Sequence, residues 1–305
     1  RSTLHNTLFP YTTLFRSLGE TTDSIEPQAP VFAIPTEMNL TDVTANANGE
    51  SGVVVSVGEP FVGGASPLGR VNLTDVTAND NGYSRDGDPI GLINRAGVIV
   101  FGYANLTDVT AVNNTDIGVV ISPVPRVAGR SPGVAAPLPG LPISNHLTDV
   151  TANRNGGSGI FVGFAFDDPF FEGAFSHATL TDVTATHNGF DEDALTERNA
   201  GVVVFGDARM DSVTANHNHF EGLSIIGDAN GSAVTAVNNT MVGMEIGGIE
   251  PDIFDGNGAS PTVLPDPTDD VDAALSGVTA SHNGIVGVGV GTQDLPVRLG
   301  PELPG

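Results

Sequence analysis

The side chains best placed by type to do chemistry are acidic, and they fall in a few clusters. Asp167 and Asp168 are adjacent, Asp191 and Asp193 flank Glu192, and Asp252 and Asp255 precede Gly256-Asn257. Carboxylates in pairs can act as general acid and base. They are also the hard oxygen ligands that Ca²⁺ prefers. Asp252 and Asp255 are the weak Ca²⁺ candidates, because Asp-x-x-Asp-Gly-Asn lacks the spacing of a calcium loop and its closing Glu. These six aspartates are the candidate binding residues, and a solvated acidic surface is the competing reading. No residue earns a catalytic role, the metal is unknown, and no cofactor besides Ca²⁺ enters the reading.

The elements that would hold these loops follow from composition and repetition. The 305 residues carry 36 acidic and 11 basic side chains, all of the latter Arg, for a formal net charge of -25. A field of that sign repels nucleic acid and anionic membranes, and a polyanionic substrate unless cations intervene. It also favours a soluble monomer. There is no Cys, hence no disulfide or thiolate metal site. No apolar run approaches the roughly 20 residues of a membrane-spanning helix. High Gly (39) and Pro (21) suit many short strands joined by turns.

The motif Val-Thr-Ala-x-x-Asn occurs eight times, beginning at Val43, Val76, Val109, Val150, Val183, Val213, Val234 and Val278. Its last residue gives a series of eight asparagines: Asn48, Asn81, Asn114, Asn155, Asn188, Asn218, Asn239 and Asn283. Five copies are preceded by Leu-Thr-Asp, as in Leu40-Thr41-Asp42. After each Asn comes Gly, an aliphatic residue, any residue, then Val or Ile, as in Gly52-Val53-Val54-Val55. The shortest unit is the 21 residues from Val213 to Val234. That length holds three short strands and three bends, not a helix hairpin. Apolar positions alternate with period two, and β-branched residues favour extended backbone. One such unit cannot bury its own apolar face, so it must stack in register on its copies, at about 4.8 Å per coil. Leu40, Val43, Ala45, Val53 and Val55, with their counterparts, should then point inward. The Asn should mark a bend in left-handed backbone, with its amide bonded up and down a ladder. The Gly should supply a conformation closed to other residues.

The pattern L-T-D-V-T-A-x-x-N-G-x-x-G-V-x-V resembles right-handed parallel β-helix repeat proteins, the pectate-lyase-like superfamily, over roughly residues 31–292. The resemblance implies an all-β, single-stranded right-handed parallel β-helix of about eight coils with loop insertions. Residues 18–30 read as a linker and 293–305 as a truncated C-terminal tail. Thr7–Ser17 (TLFPYTTLFRS) resembles a translated sequencing-library adaptor, so residues 1–17 are set aside from fold reasoning. With no initial Met, the chain reads as a fragment.

Repeats of this kind encode core and turns and say little about function. Insertions at 58–70, 123–145, 164–177 and 248–273 are expected to leave at one corner, and those at 83–95 and 190–199 at another. The repeated Asp42, Asp75, Asp108, Asp149 and Asp182 would stack as mutually repelling carboxylates. They are read as solvent-facing bend residues, because Ser212, Ala233 and Gly277 replace them without loss of the repeat. His187, His217 and His282 directly precede the repeat Asn, and His219 follows one. They read as exposed turn positions, with His187 and His217 stacked outside. Asn114-Thr115-Asp116 and Asp167-Asp168 resemble polygalacturonase motifs, but the Arg-x-Lys motif of that family is impossible in a chain without Lys. The expected function is a non-catalytic module of a secreted or surface protein, bacterial and extracellular. It would act as scaffold or as a surface for a polysaccharide or cell-surface protein, with no nucleic acid and no membrane insertion. The alternative is a polysaccharide lyase or glycoside hydrolase of the same superfamily.

Overall fold

A computed structural model of the chain describes residues 37–56, 70–82, 95–122, 144–163, 176–190, 200–247 and 271–291. All of them belong to the unit Ile34–Gly305. The described residues form β1 (Glu37–Thr44), β2 (Val53–Ser56), β3 (Arg70–Thr77), β4 (Val98–Phe101), β5 (Tyr103–Val112), β6 (Val119–Ser122) and β7 (Ser144–Asn153). Next come β8 (Ile160–Val162), β9 (His177–Thr181), β10 (Thr184–Thr186), β11 (Val202–Phe205), β12 (Ala208–Asp211) and β13 (Glu221–Ile226). The last are β14 (Ala229–Ser232), β15 (Thr235–Val237), β16 (Val242–Ile246), β17 (Ala273–Ser276), β18 (Thr279–Ser281) and β19 (Val286–Val290). No helix occurs among the described residues.

The strands pair in parallel with copies of themselves. One sheet runs β1-β3-β5-β7-β9-β12-β14-β17, with β10 beside β7, and a second runs β19-β16-β13-β11-β8-β6-β4-β2. Such pairing between every equivalent strand makes the architecture a parallel β solenoid. The register is set by residue identity: Leu40, Leu73, Leu106 and Leu147 are successive partners, as are Val43, Val76, Val109 and Val150. Bonds from Thr214, Thr235 and Thr279 N–H to the carbonyls of Val183, Val213 and Val234 carry the valine column onward. Six of those valines, Val76 to Val234, are fully buried. Burying each stabilises the fold by about 1.5–3 kcal/mol. The second sheet supplies the facing wall, with Val98, Val119, Ile160, Val202, Leu223 and Met244 inside.

Three kinds of bend recur along the solenoid, and one of them corrects the sequence reading. The left-handed residue is not the repeat Asn but the one before it: Ala47, Asp80, Asn113, Arg154, His187, His217, Asn238 and His282 have φ of 55–58°. The Asn itself turns inward, and the six from Asn81 to Asn239 are buried. The second left-handed bend falls on Asp42, Asp75, Asp108, Asp149, Asp182, Ser212, Ala233 and Gly277, at φ of 52–59°. Those five Asp side chains are exposed, as expected of bend residues. Glycine closes the third corner, as at Gly206 with φ 127°, a region essentially limited to glycine.

The glycine before the second-sheet strand is needed for a different reason from the expected one. Gly159 does not occupy left-handed backbone. A Cβ there would lie 2.6 Å from the Gly201 carbonyl oxygen and 2.7 Å from Asn188 Nδ2. Close approach between coils, rather than conformational freedom, excludes a side chain.

Candidate functional site

The corner containing the repeat Asn joins three parallel columns along the solenoid axis. The middle column is the asparagine ladder. Asn155 Oδ1 accepts the Asn114 backbone N–H and Nδ2–H, both at 3.0 Å. Asn155 Nδ2 donates to Asn188 Oδ1 at 3.0 Å and back to the Ala111 carbonyl at 3.1 Å. Its backbone N–H also reaches Asn188 Oδ1, at 3.0 Å. The same pattern repeats from Asn81 to Asn239. Both amide hydrogens and both oxygen lone pairs are used, which is what permits exposures of only 0–2% at these six asparagines. The expected ladder is therefore present, and it is structural.

Outside the ladder, the left-handed residue projects into solvent. Its column reads Arg154, His187, His217, Asn238, His282. The rings of His187 and His217 stack in parallel with centroids 4.8 Å apart, one coil spacing. Asn238 Nδ2 lies 3.2 Å from His217 Nε2. Partial burial holds His187 below the ordinary imidazole value, and the charges of His217 and Arg154 push it further down.

The third column starts one residue past the ladder at His219, which is half-buried rather than an exposed turn residue, and its phenylalanine partners were absent from the sequence reading. His219 Nδ1 lies 2.8 Å from the Gly189 carbonyl oxygen. An acceptor there requires Nδ1 to carry the proton, which leaves Nε2 of the neutral ring as an acceptor. The ring stacks on Phe190 at 5.6 Å and meets Phe220 edge-on at 5.5 Å. Phe190 and Phe220 remain 56% and 36% exposed. A readable signal existed, since both phenylalanines stand two places after a repeat Asn. The corner thus offers imidazole nitrogens as hydrogen-bonding groups beside exposed aromatic carbon. That combination suits recognition of a partly apolar surface.

The other candidates are placed as follows. Asp167, Asp168, Asp191, Asp193, Asp252 and Asp255 all lie outside the described residues, as do most residues of the six insertions. Of Asn114-Thr115-Asp116, Asn114 is wholly committed to the ladder and Asp116 is buried at 4% exposure, so neither presents itself to a substrate. His177 Nδ1 meets Asp207 Oδ2 at 2.9 Å on the glycine corner, but both side chains are largely exposed. Such a pair contributes little. Among the described residues no three His, Asp or Glu side chains converge to hold a metal ion. Nor, among them, is any helix long and apolar enough to cross a membrane.

The outer side of the second sheet is a further feature absent from the sequence reading. Ile99, Val120, Phe161 and Val203, at the position read as any residue, are buried in a second apolar cluster with Phe205 and Ile226. The rings of Phe161 and Phe205 meet at a tilt of 42° with centroids 5.4 Å apart. That sheet is apolar on both faces along these coils.

Comparison with protein-family models, with curated proteins and with solved structures gives no match.

Proposed function

We propose that the chain is a non-catalytic module of a secreted or cell-surface bacterial protein, a scaffold that carries a carbohydrate- or protein-binding surface. In this reading it is a right-handed parallel β-helix of about eight coils, of the pectate-lyase-like kind. The eight copies of Val-Thr-Ala-x-x-Asn support the coil number. The hand follows from the general rule that crossovers between parallel strands of one sheet are right-handed in about 98% of cases. The observation that carries the binding role is the exposed ring corner, which holds the His187–His217 stack and the Phe190–His219–Phe220 group. Exposed aromatic groups held rigidly by a regular scaffold favour binding, because few rotamers are frozen on contact.

The test is a panel of soluble glycans and bacterial surface proteins, screened for binding and for turnover with and without Ca²⁺. Binding that falls at least tenfold in Phe190→Ala and Phe220→Ala, with no turnover, is the expected result. Both rings are exposed, so the fold survives their removal. Turnover of any polysaccharide would overturn the scaffold reading in favour of a lyase or hydrolase.

A further inference from the structure

The asparagine ladder has a direction, and its two ends are complementary. Every internal joint passes an N–H and an Nδ2–H from one Asn to the Oδ1 of the next. Asn283 receives those bonds from Asn239, and its Nδ2 returns one hydrogen to the Ala236 carbonyl. Its backbone N–H and second Nδ2 hydrogen have no acceptor among the described residues. At the other end, Asn48 donates to Asn81 Oδ1 through both nitrogens, and no described residue donates to its own Oδ1. One end presents two donors and the other an acceptor, in the geometry of the internal joints.

The apolar walls end in the same matched way. Met38, Leu40, Val43 and Ala45 are only partly buried against the core, and so are Leu275 and Val278. Ile285 and Val290 are 59% and 52% exposed. The residues also correspond in register, because Val43, Ala45 and Asn48 have the spacing of Val278, Ala280 and Asn283. Val53 and Val55 are already buried, so a joint would be closest along the first-sheet strands and the ladder.

We propose that a second copy of this chain stacks here head to tail, laying its β1 against β17 and β18 and its Asn48 Oδ1 against Asn283. The joint repeats an interface the chain already makes between its own coils, which is why the partner is a copy of itself. An unpaired parallel edge is a ready template for such pairing. A head-to-tail contact of this kind does not close on itself, so it generates linear oligomers. Each copy carries a formal charge of -25, and like charges oppose the contact. The Debye length falls from about 10 Å at 0.1 M salt to about 3 Å at 1 M. The chain is therefore monomeric in dilute salt and assembles as salt rises, so the expectation of a monomer holds only at low ionic strength.

Cysteine pairing tests this without disturbing the core. Thr41 and Ser276 share one outward column, both are exposed, and the chain has no other Cys. In the joint they would lie about 5 Å apart, within disulfide reach. Under mild oxidation at 1 M NaCl, Thr41→Cys/Ser276→Cys should form a covalent ladder of oligomers on a non-reducing gel. On the same gel an equimolar mixture of the two single variants should stop at dimer, and each single variant alone should run as uncrosslinked monomer. Sedimentation velocity of the unmodified chain should show the average mass rising at least twofold between 0.05 M and 1 M NaCl. Single variants that dimerise as readily as the mixture would overturn the head-to-tail joint. So would a chain that stays monomeric at 1 M NaCl, which would mean that residues of the same chain cover the ends.

Discussion

The two left-handed bends in each coil share a backbone conformation and differ in what they tolerate. At one, the residue before the ladder changes freely among Ala47, Asp80, Asn113, Arg154 and His187. At the other, five aspartates give way to Ser212, Ala233 and Gly277. Both positions point into water, so a non-glycine residue there costs only the left-handed penalty of about 1–2 kcal/mol. The asparagine beside the first bend never changes among the eight copies. It is buried in the six internal copies, where loss of its amide leaves its neighbours' donors and acceptors unpaired. Repeat invariance in this chain follows buried hydrogen bonding, whereas backbone conformation is met by many residue types.

That contrast can be broken most severely inside the ladder. Asn155→Ala removes the acceptor of two Asn114 donors and the donor to the Ala111 carbonyl. At about 1–3 kcal/mol for each stranded group, partly relieved by a trapped water, urea denaturation should show a loss of about 3–5 kcal/mol. Gly159→Ala comes next. Its Cβ would press on backbone and on the ladder amide of Asn188, and neither can move alone, so the same measurement should show a loss of about 2–3 kcal/mol. The exchangeable bend should respond with the opposite sign. Ala233 sits at φ 52° with its side chain outside the core cluster, and Ala233→Gly should gain about 0.5–1 kcal/mol.

The smallest effect sharpens the comparison through pH. His187 is held below the ordinary imidazole value of 6.5, mainly by burial and then by His217 and Arg154. Between that lowered value and 6.5 the unfolded chain binds more protons than the folded one, so stability falls as pH drops through this window. The side chain is exposed, and screening limits the effect to a few tenths of a kcal/mol. His187→Gln should flatten the fall in melting temperature between pH 7 and pH 5 by about one degree, visible by differential scanning fluorimetry.

Much of the fold was legible because the repeat writes the same physics eight times. Period-two apolar residues placed Val43, Ala45, Val53 and Val55 inside, and the ladder followed from stacking identical asparagines. What sequence could not separate was neighbouring residues with different duties at one bend. Asn48 and Ala47 look like a single turn signal, and only the backbone shows that Ala47 takes the left-handed conformation while Asn48 turns inward. Gly159 was read as a conformational residue, although the contact that requires it comes from Gly201 on another coil, which spacing alone does not reveal. The outer burial of Ile99, Val120 and Phe161 depends on tertiary cover, which a position open to any residue does not reveal. The ring corner was half visible: the His187–His217 stack followed from equivalent positions, whereas Phe190 and Phe220 lay beyond the repeat consensus. The acidic loop candidates carry no repeat signal, and they lie outside the described residues.

Amide hydrogen exchange along the ladder, in low salt, tests the stacked register most directly. The backbone N–H groups of Asn81, Asn114, Asn155, Asn188, Asn218 and Asn239 each donate to the next side chain. They should exchange only through global unfolding, while the Asn283 N–H exchanges orders of magnitude faster. Exchange of the Asn155 N–H at the rate of an unstructured peptide, or equal rates at Asn155 and Asn283, would contradict the stacked ladder.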